Sequence, residues 1–342
     1  MERMYADSLG FLFDQGELMA QARIPVAERD ITALKIDPAV FESLDLVHLT
    51  ACPPFIRDPE KVFAEVEWMR AVLEAQGCVI VEGADDLKKP GLKVVLGLQN
   101  PPERATEGAF CGRLYNRDIR IMSLAYEMAN EYAGGFAESD VPLTSEGLAL
   151  LKKMEDHGVI VDLSHAGQST ALSVLVNIGH RNLDVCATHS GAYSVYPHLR
   201  NLPDDVIVRI ADLGGYIGVP ALNWMLGPEG EDEPNFFSHL LYIEGLAGVE
   251  CSGVGSDTVY KPVNMLPDGE AARTFAMMKD KLDPRGNFNP RFPEFNSDWI
   301  PFWNRSDKMG VARERFRRQW GSANADLLAG RSFCRFLQRA LR

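Results

Sequence analysis

Two histidines and one aspartate follow apolar runs that lie far apart in the chain. His165 and His189 come just after short β-branched runs at 159–163 and 185–188, and Asp257 comes just after a later run. Such runs, bounded by turn residues, are typical of buried strands, so polar residues just past their ends lie at the mouth of a sheet. Two imidazoles and a carboxylate can bind a divalent metal, or the aspartate can act as a general base beside it. These side chains therefore predict one shared site.

Three further polar residues follow strand-like runs. Gln99 stands between the run 94–98 and a double proline that cannot continue a central strand, Tyr126 follows 119–124, and Arg200 lies in the loop after the second histidine. Parallel strands end on one face, where functional groups collect. We expect these three side chains to line the same site.

The elements that would position these residues alternate between strand and helix. Thr144 is a predicted N-cap, Gly158 ends that helix, and the strand 159–163, a helix at 168–176 and the strand 185–188 follow. Alternation at about 25 to 35 residues per unit predicts a parallel sheet with right-handed crossovers. Eight such units would use most of the chain.

The predicted fold is therefore α/β, a single (β/α)₈ TIM barrel over residues 1–342. The pattern assigns a first strand to the apolar segment 4–13 and helices to 31–44 and 58–76. A doubly wound open sheet is the rival architecture. Its nucleotide-binding versions lose support because neither GxGxxG nor GxxxxGK[ST] occurs at a strand-to-helix turn.

Composition and charge exclude several classes of protein. The formal net charge of −13 argues against nucleic-acid or anionic-membrane partners, which need clustered cations. The six cysteines show no metal-ligand spacing. No secretory signal starts the chain and no apolar stretch approaches the ~20 residues of a membrane span, so we expect a cytoplasmic protein.

One long segment, 261–303, breaks the alternation. It is irregular, rich in proline and ends in aromatic residues. Long irregular loops in compact domains are usually functional, so a lid over the site and a contact between subunits are the two interpretations.

Several stretches resemble the renal or membrane dipeptidase family of zinc enzymes, a branch of the amidohydrolase superfamily. They are PLTSEGLALLKKMEDHGVIVDLSHAG (142–167), ATHSGAYSVYPHLRNLPDDV (187–206), GVGSD (253–257) and, near the end, DLLAGRSFCRFL (326–337). The resemblance implies an amidohydrolase-like (β/α)₈ barrel that cuts dipeptides with two zinc ions, many members accepting a D-residue at the C-terminal position. It also suggests a homodimer.

The resemblance assigns roles to four residues of this chain. His165 and His189 match the two histidines that hold one zinc, and Asp257 matches the aspartate that works as acid and base beside the metals. Arg200 matches the arginine that grips the substrate carboxylate, a task suited to a planar fork of donors.

Four other family positions are changed. Leu9 and Phe11 replace the His-x-Asp pair of the second zinc, Gln99 replaces the bridging glutamate, and Tyr126 replaces a histidine that contacts the scissile group. Losing these ligands together removes one metal site rather than damaging both, because a second dication would lack compensating charge. At most one zinc is expected, held by the two matched histidines with Gln99, and Tyr126 is expected to bind substrate.

The resulting hypothesis is a metal-dependent hydrolase that cuts an amide bond in a small, dipeptide-like substrate bearing a carboxylate. Two alternatives remain. One is a non-peptidase enzyme on the same scaffold, whose pocket Leu9 and Phe11 would make half apolar. The other is a binding homologue without catalysis, since a fold does not guarantee chemistry.

Overall fold

The computed structural model describes residues 4–107, 110–228, 232–260 and 303–342. Within these ranges nine parallel strands form one sheet, and eight of them follow one another in the order β1-β2-β4-β5-β6-β7-β8-β9. The strands are β1 Ala6–Asp7, β2 Leu46–Thr50, β3 Val79–Ile80, β4 Lys93–Leu98, β5 Ile119–Ser123, β6 Ile160–Asp162, β7 Val185–Ala187, β8 Tyr216–Val219 and β9 Ser252–Val254. β3 lies off this path and pairs with the start of β4.

The eight-stranded path closes on itself, so the sheet is a barrel. Ser8 N donates to Val254 O at 3.0 Å, which joins the first strand to the last. Beyond the strand ends, Asp257 N donates to Leu9 O at 2.8 Å and Phe11 N donates to Thr258 O at 3.1 Å. These bonds continue the parallel pairing of the seam towards the carboxyl ends of the strands.

Helices surround the barrel between its strands. They are α1 Gln15–Ala22, α2 Pro38–Ser43, α3 Pro59–Glu74, α4 Phe110–Tyr115, α5 Ser145–His157, α6 Gln168–Ile178, α7 Asp204–Asp212, α8 Asp232–Ala247, α9 Lys308–Asp326 and α10 Ser332–Ala340. α9 bends at Gly321, and a π-helical turn, Leu327–Arg331, joins it to α10. No helix among the described residues is long and apolar enough to cross a membrane.

The barrel has an apolar core on each side of its wall. The larger cluster lies between the strands and the helices, where the apolar face of α3 packs with Val62, Val66 and Met69 buried. A smaller cluster combines strand residues with four side chains of α10. Its members are Ala6, Leu46, Val81, Leu87, Val95, Ile121, Ile160, Cys186, Tyr216, Phe333, Cys334, Phe336 and Leu337. Helix α10 therefore covers the end of the barrel opposite the carboxyl ends of the strands.

The predicted α/β barrel is confirmed. The predictions for single elements are most accurate where the apolar pattern extends over several helical turns. The helix predicted at 58–76 is α3, and Thr144 caps α5 by accepting from Gly147 N. The apolar segment 4–13 predicts a long first strand, but β1 contains only two residues. The chain bends at Ser8 and Leu9, directly after it. The sequence predicts a helix at 31–44, but the observed helix α2 is shorter, because it begins at Pro38. The irregular segment predicted at 261–303 lies outside the described residues except for Trp303.

Gly255 follows β9 directly and lies very close to the backbone of Thr188, which follows β7. A Cβ atom on this residue would overlap the carbonyl oxygen of Thr188, which is backbone and cannot move aside. It would also press on Ser8 Oγ, which donates to that same carbonyl at 2.6 Å. Only glycine fits here, for reasons of space.

We expect Gly255→Ala to lower the free energy of unfolding by about 1–3 kcal/mol through overpacking. The measurement is urea denaturation followed by circular dichroism. Gly245→Ala is the matched control, because a Cβ atom at this position in α8 meets nothing within 4 Å and should leave stability unchanged or slightly raised. Equal stabilities of the two variants would contradict this account of the seam.

Candidate active site at the barrel mouth

All six residues singled out from the sequence lie beyond the carboxyl ends of strands, at one mouth of the barrel. Five of the six residues lie within three positions of the end of a strand. Arg200 lies in the longer loop before α7. The six are Gln99 after β4, Tyr126 after β5, His165 after β6, His189 and Arg200 after β7, and Asp257 after β9. Parallel pairing explains this convergence, because every strand ends on the same side.

The two histidines face each other. Their Nε2 atoms lie 2.9 Å apart, and Gln99 Nε2 lies 3.4 Å from His189 Nε2. Burial, followed by the charge of Arg200, holds the pKa of each imidazole well below its usual value. Both rings are therefore neutral at physiological pH, the form in which histidine binds metals and accepts hydrogen bonds.

A buried carboxylate sets the tautomer of His189. Asp162 accepts hydrogen bonds from Thr188 N at 3.0 Å and from Thr188 Oγ1 at 2.6 Å. Because the threonine hydroxyl donates to Asp162, it can only accept from His189 Nδ1, which lies 2.7 Å away. The proton of His189 therefore sits on Nδ1, and its Nε2 lone pair faces the site.

Aromatic rings hold His165 in place. Tyr126 stacks on its imidazole with ring centroids 4.1 Å apart, and the ring centroid of Phe136 is at 6.5 Å. The backbone of His165 has a φ of 67°, which a non-glycine residue seldom adopts. Such strain persists only where the surroundings enforce it, and it is common at functional sites.

Arg200 is a buried cation that has no carboxylate against it among the described residues. Its side chain is 4% exposed, and Nη1 donates to His189 O and Ser190 Oγ at 3.4 Å each, both long for hydrogen bonds. Among the described residues it makes no ion pair within 4.0 Å, although Asp257 acts on it electrostatically. A buried guanidinium with spare donors is suited to binding an anion.

Asp257 also has unusual geometry and electrostatics. Its φ of 53° places another non-glycine residue in the left-handed region at a strand end. Burial raises the pKa of its carboxyl group to about 7, although Arg200 opposes this shift. A carboxyl group with a pKa near neutrality can take and return protons at physiological pH.

The residues present do not fit a two-zinc centre of the kind implied by the resemblance. Leu9 is fully buried and Phe11 is partly buried, and neither side chain carries a ligand atom. Within the described part of the chain, no three His, Cys, Asp or Glu side chains are grouped as a metal site. The facing Nε2 atoms of His165 and His189, with Gln99 beside them, fit one ion bound by neutral donors.

Sequence reasoning missed the residues that support this site. Asp162, Thr188 and Ser164 hold His189, and Phe136 lies beside Arg200 with Cζ 5.9 Å from the ring centroid. Polar residues inside the apolar runs before each histidine were an available signal, because a buried polar group needs a partner.

Phe11 opens onto a cavity of about 120 Å³ beside the candidate site. Gln99 and Tyr126 form the wall that this cavity shares with the histidine pair. The remaining lining is mostly apolar and comes from α1, the loop after α1, the end of β2 with the segment that follows it, and α3: Leu18, Ala22, Arg29, Thr50, Ala51, Cys52, Pro53, Pro54, Phe55, Glu65, Trp68 and Met69.

We expect nuclear magnetic resonance of metal-stripped protein with ¹⁵N-labelled histidine to show the His189 proton on Nδ1. Thr188→Val removes its acceptor, so part of the population should move to the Nε2–H tautomer. Thr170→Val is the control, because this buried hydroxyl donates to Val141 O and contacts neither histidine. A proton on Nε2 of His189 in the unmodified protein would contradict the assignment.

Comparison with known proteins supports the resemblance. A family model described as membrane dipeptidase, peptidase family M19, matches residues 60–289. Dipeptidase tcpJ of Claviceps purpurea is 31% identical over 153 residues, which cover 42% of this chain and 35% of that protein. An uncharacterized dipeptidase of Schizosaccharomyces pombe, C3A11.10c, is 27% identical over 215 residues, or 59% of this chain and 50% of that protein. The matches thus span half or less of the length of these relatives.

Solved structures agree on the fold. An amidohydrolase from Pseudomonas aeruginosa superposes with a TM-score of 0.76 at 17% identity, covering 99% of this chain and 97% of the other. At that identity the likeness establishes the barrel architecture alone. The family model, however, matches more than half of the chain. The chain therefore belongs to the membrane dipeptidase family.

Proposed function

We propose that this protein hydrolyses an amide bond in a small, dipeptide-like substrate that carries a carboxylate. The observation that carries the proposal is the buried Arg200, whose charge meets no ion-pair partner among the described residues. An uncompensated buried cation is costly unless an anion joins it, and a substrate carboxylate can form a bidentate pair with a guanidinium. Membership of the dipeptidase family is consistent with such a substrate.

Asp257 is the proposed general base. Its carboxylate takes a proton from the attacking water and returns it to the amine that leaves, so hydrolysis yields an acid and an amine. Its pKa of about 7 allows both transfers near neutral pH. Asp257 and Arg200 influence each other electrostatically, which supports placing the base and the carboxylate-binding group in one site.

Tyr126 is proposed to donate a hydrogen bond to the oxyanion that forms during attack. Burial, reinforced by Glu127 and Asp257, raises the pKa of its phenol well above the usual value, so the group keeps its proton. Its ring is fixed against His165, which limits the positions open to the hydroxyl group. A fixed neutral donor is effective because it needs no reorganisation during the reaction.

His165, His189 and Gln99 are proposed to hold at most one zinc ion. A zinc ion there would supply Lewis-acid polarisation of the substrate carbonyl. The site offers it no carboxylate among these three residues, and Arg200 lies next to His189. We therefore propose weaker zinc binding than at centres that include anionic ligands.

Metal content tests this assignment separately from activity. After dialysis against zinc and removal of excess, elemental mass spectrometry should find one ion per chain in the unmodified protein and none in the double variant His165→Ala/His189→Ala. The control is His180→Ala, an exposed histidine whose loss should leave the metal content unchanged. Two ions per chain, or one ion that the double variant retains, would contradict the proposed site.

The pH dependence of turnover tests the role of Asp257. Only its deprotonated form is a base, so kcat/KM should fall about tenfold per pH unit below pH 7, rather than below the usual range of an aspartate. Asp257→Asn should lower kcat by about 10²–10⁴-fold and abolish this limb.

Asp205→Asn is the control for that experiment, because this aspartate is exposed on α7. The variant should keep the pH profile of the unmodified protein. The assay follows product release from a panel of dipeptides and acylated amino acids by mass spectrometry. An unchanged profile in Asp257→Asn would assign the base elsewhere. No cleavage of any amide in the panel would favour the non-peptidase or binding alternatives.

A further inference from the structure

The cavity beside Gln99 and Tyr126 holds no free negative charge among its described lining residues. Its one carboxylate, Glu65, is taken by Arg29, whose Nη1 and Nη2 donate to the two carboxylate oxygens at 2.6 and 2.7 Å. Both side chains of this pair are nearly buried, at 4% and 9% exposure, and Trp68 lies against the guanidinium. This pair is complete, so it leaves no anionic oxygen for an incoming cation.

The other polar groups of the cavity are neutral. Burial raises the pKa of the Cys52 thiol well above its usual value, and the side chain of Gln99 is an uncharged amide. Thr50 Oγ1 is buried and has no hydrogen-bond partner within the described parts of the chain. A neutral hydroxyl can bond to an uncharged group but cannot compensate an ammonium ion.

The size and position of the cavity suit one end of the substrate. About 120 Å³ is close to the volume of an engineered apolar cavity that accepts benzene, so a branched aliphatic or small aromatic group fits. The cavity meets the histidine pair at Gln99, whereas Arg200 contacts the backbone of His189. A substrate held by its carboxylate at Arg200 would thus extend its other end past the histidines into the cavity.

We propose that this cavity binds an uncharged apolar acyl group, so that the preferred substrate is an N-acyl amino acid rather than a dipeptide with a free α-amino group. This inference rests on the proposed function, since it assumes an amide whose carboxylate end lies at Arg200. Phe11 supports this inference, because its apolar ring lines the cavity and offers no acceptor to an α-ammonium group. An α-ammonium entering the cavity would be unpaired and beside Arg29.

A matched pair of ligands tests the inference without turnover. Both are ketomethylene analogues, which cannot be cleaved: one of leucyl-alanine, the other of 4-methylpentanoyl-alanine, which differs only by lacking the α-amino group. Isothermal titration calorimetry gives each Kd, with alanine in its L and D forms. We expect the analogue without the amine to bind at least about tenfold more tightly, because burying an unpaired charge is unfavourable.

Two variants connect that preference to the cavity. Phe11→Asp supplies a carboxylate and should narrow or reverse the ratio of the two Kd values, whereas Phe11→Leu keeps the wall apolar and should preserve the ratio. If Phe11→Asp does not fold by circular dichroism, the ligand pair on the unmodified protein decides alone. Equal or tighter binding of the amine-bearing analogue, or binding of neither, would overturn the inference.

Cleavage assays with the corresponding amides separate this inference from the proposed function. If the amine-free analogue binds preferentially but no amide is cleaved, the cavity assignment stands and the hydrolase proposal fails. If leucyl-alanine is cleaved and its analogue binds at least as well, the hydrolase proposal stands and the acyl assignment fails.

Discussion

Two buried aspartates stabilise the barrel at the point where the backbone pairing between its strands ends. Asp162 accepts from Ser164 N, two residues on, and from both the N–H and the hydroxyl of Thr188 on the neighbouring strand. Asp7 makes the same set of contacts at the seam, with Leu9 N and with the N–H and hydroxyl of Ser256. Backbone N–H groups just beyond the end of a strand have no acceptor on the neighbouring strand. A buried carboxylate can accept several of their hydrogen bonds at once.

The site depends on these two anchors. Asp162 fixes Thr188 and through it the ring of His189, whereas Asp7 fixes Ser256 directly before Asp257. Lys308 of α9 is buried close to Asp7, donating to Thr258 Oγ1 at 2.7 Å and Val259 O at 2.6 Å. The polar atoms that hold the strand ends are thereby satisfied inside the protein, and the groups that face the mouth remain available for chemistry.

The balance of charge at the mouth distinguishes this chain from the family pattern suggested by its sequence. The resemblance matches Leu9, Phe11 and Gln99 to the positions of three acidic or histidine ligands, and it matches Arg200 to a cation of the family pattern. A site with fewer anions binds a dication less favourably and a substrate anion more favourably. Phe11 also lines the mostly apolar cavity beside the site.

The sequence by itself determined the alternation of strands and helices, and hence the barrel, because long periodic patterns follow from burial on one face. It also indicated that His165, His189 and Asp257 share a site, since residues after parallel strands must meet at one mouth. It could not give the short length of β1, which the seam sets through contacts between residues about 250 positions apart. Only the tertiary structure decided the tautomer of His189, the lack of an ion-pair partner for Arg200 among the described residues, and the neutral lining of the cavity. These properties arise from neighbours distant in the chain, and local patterns carry no information about such distances.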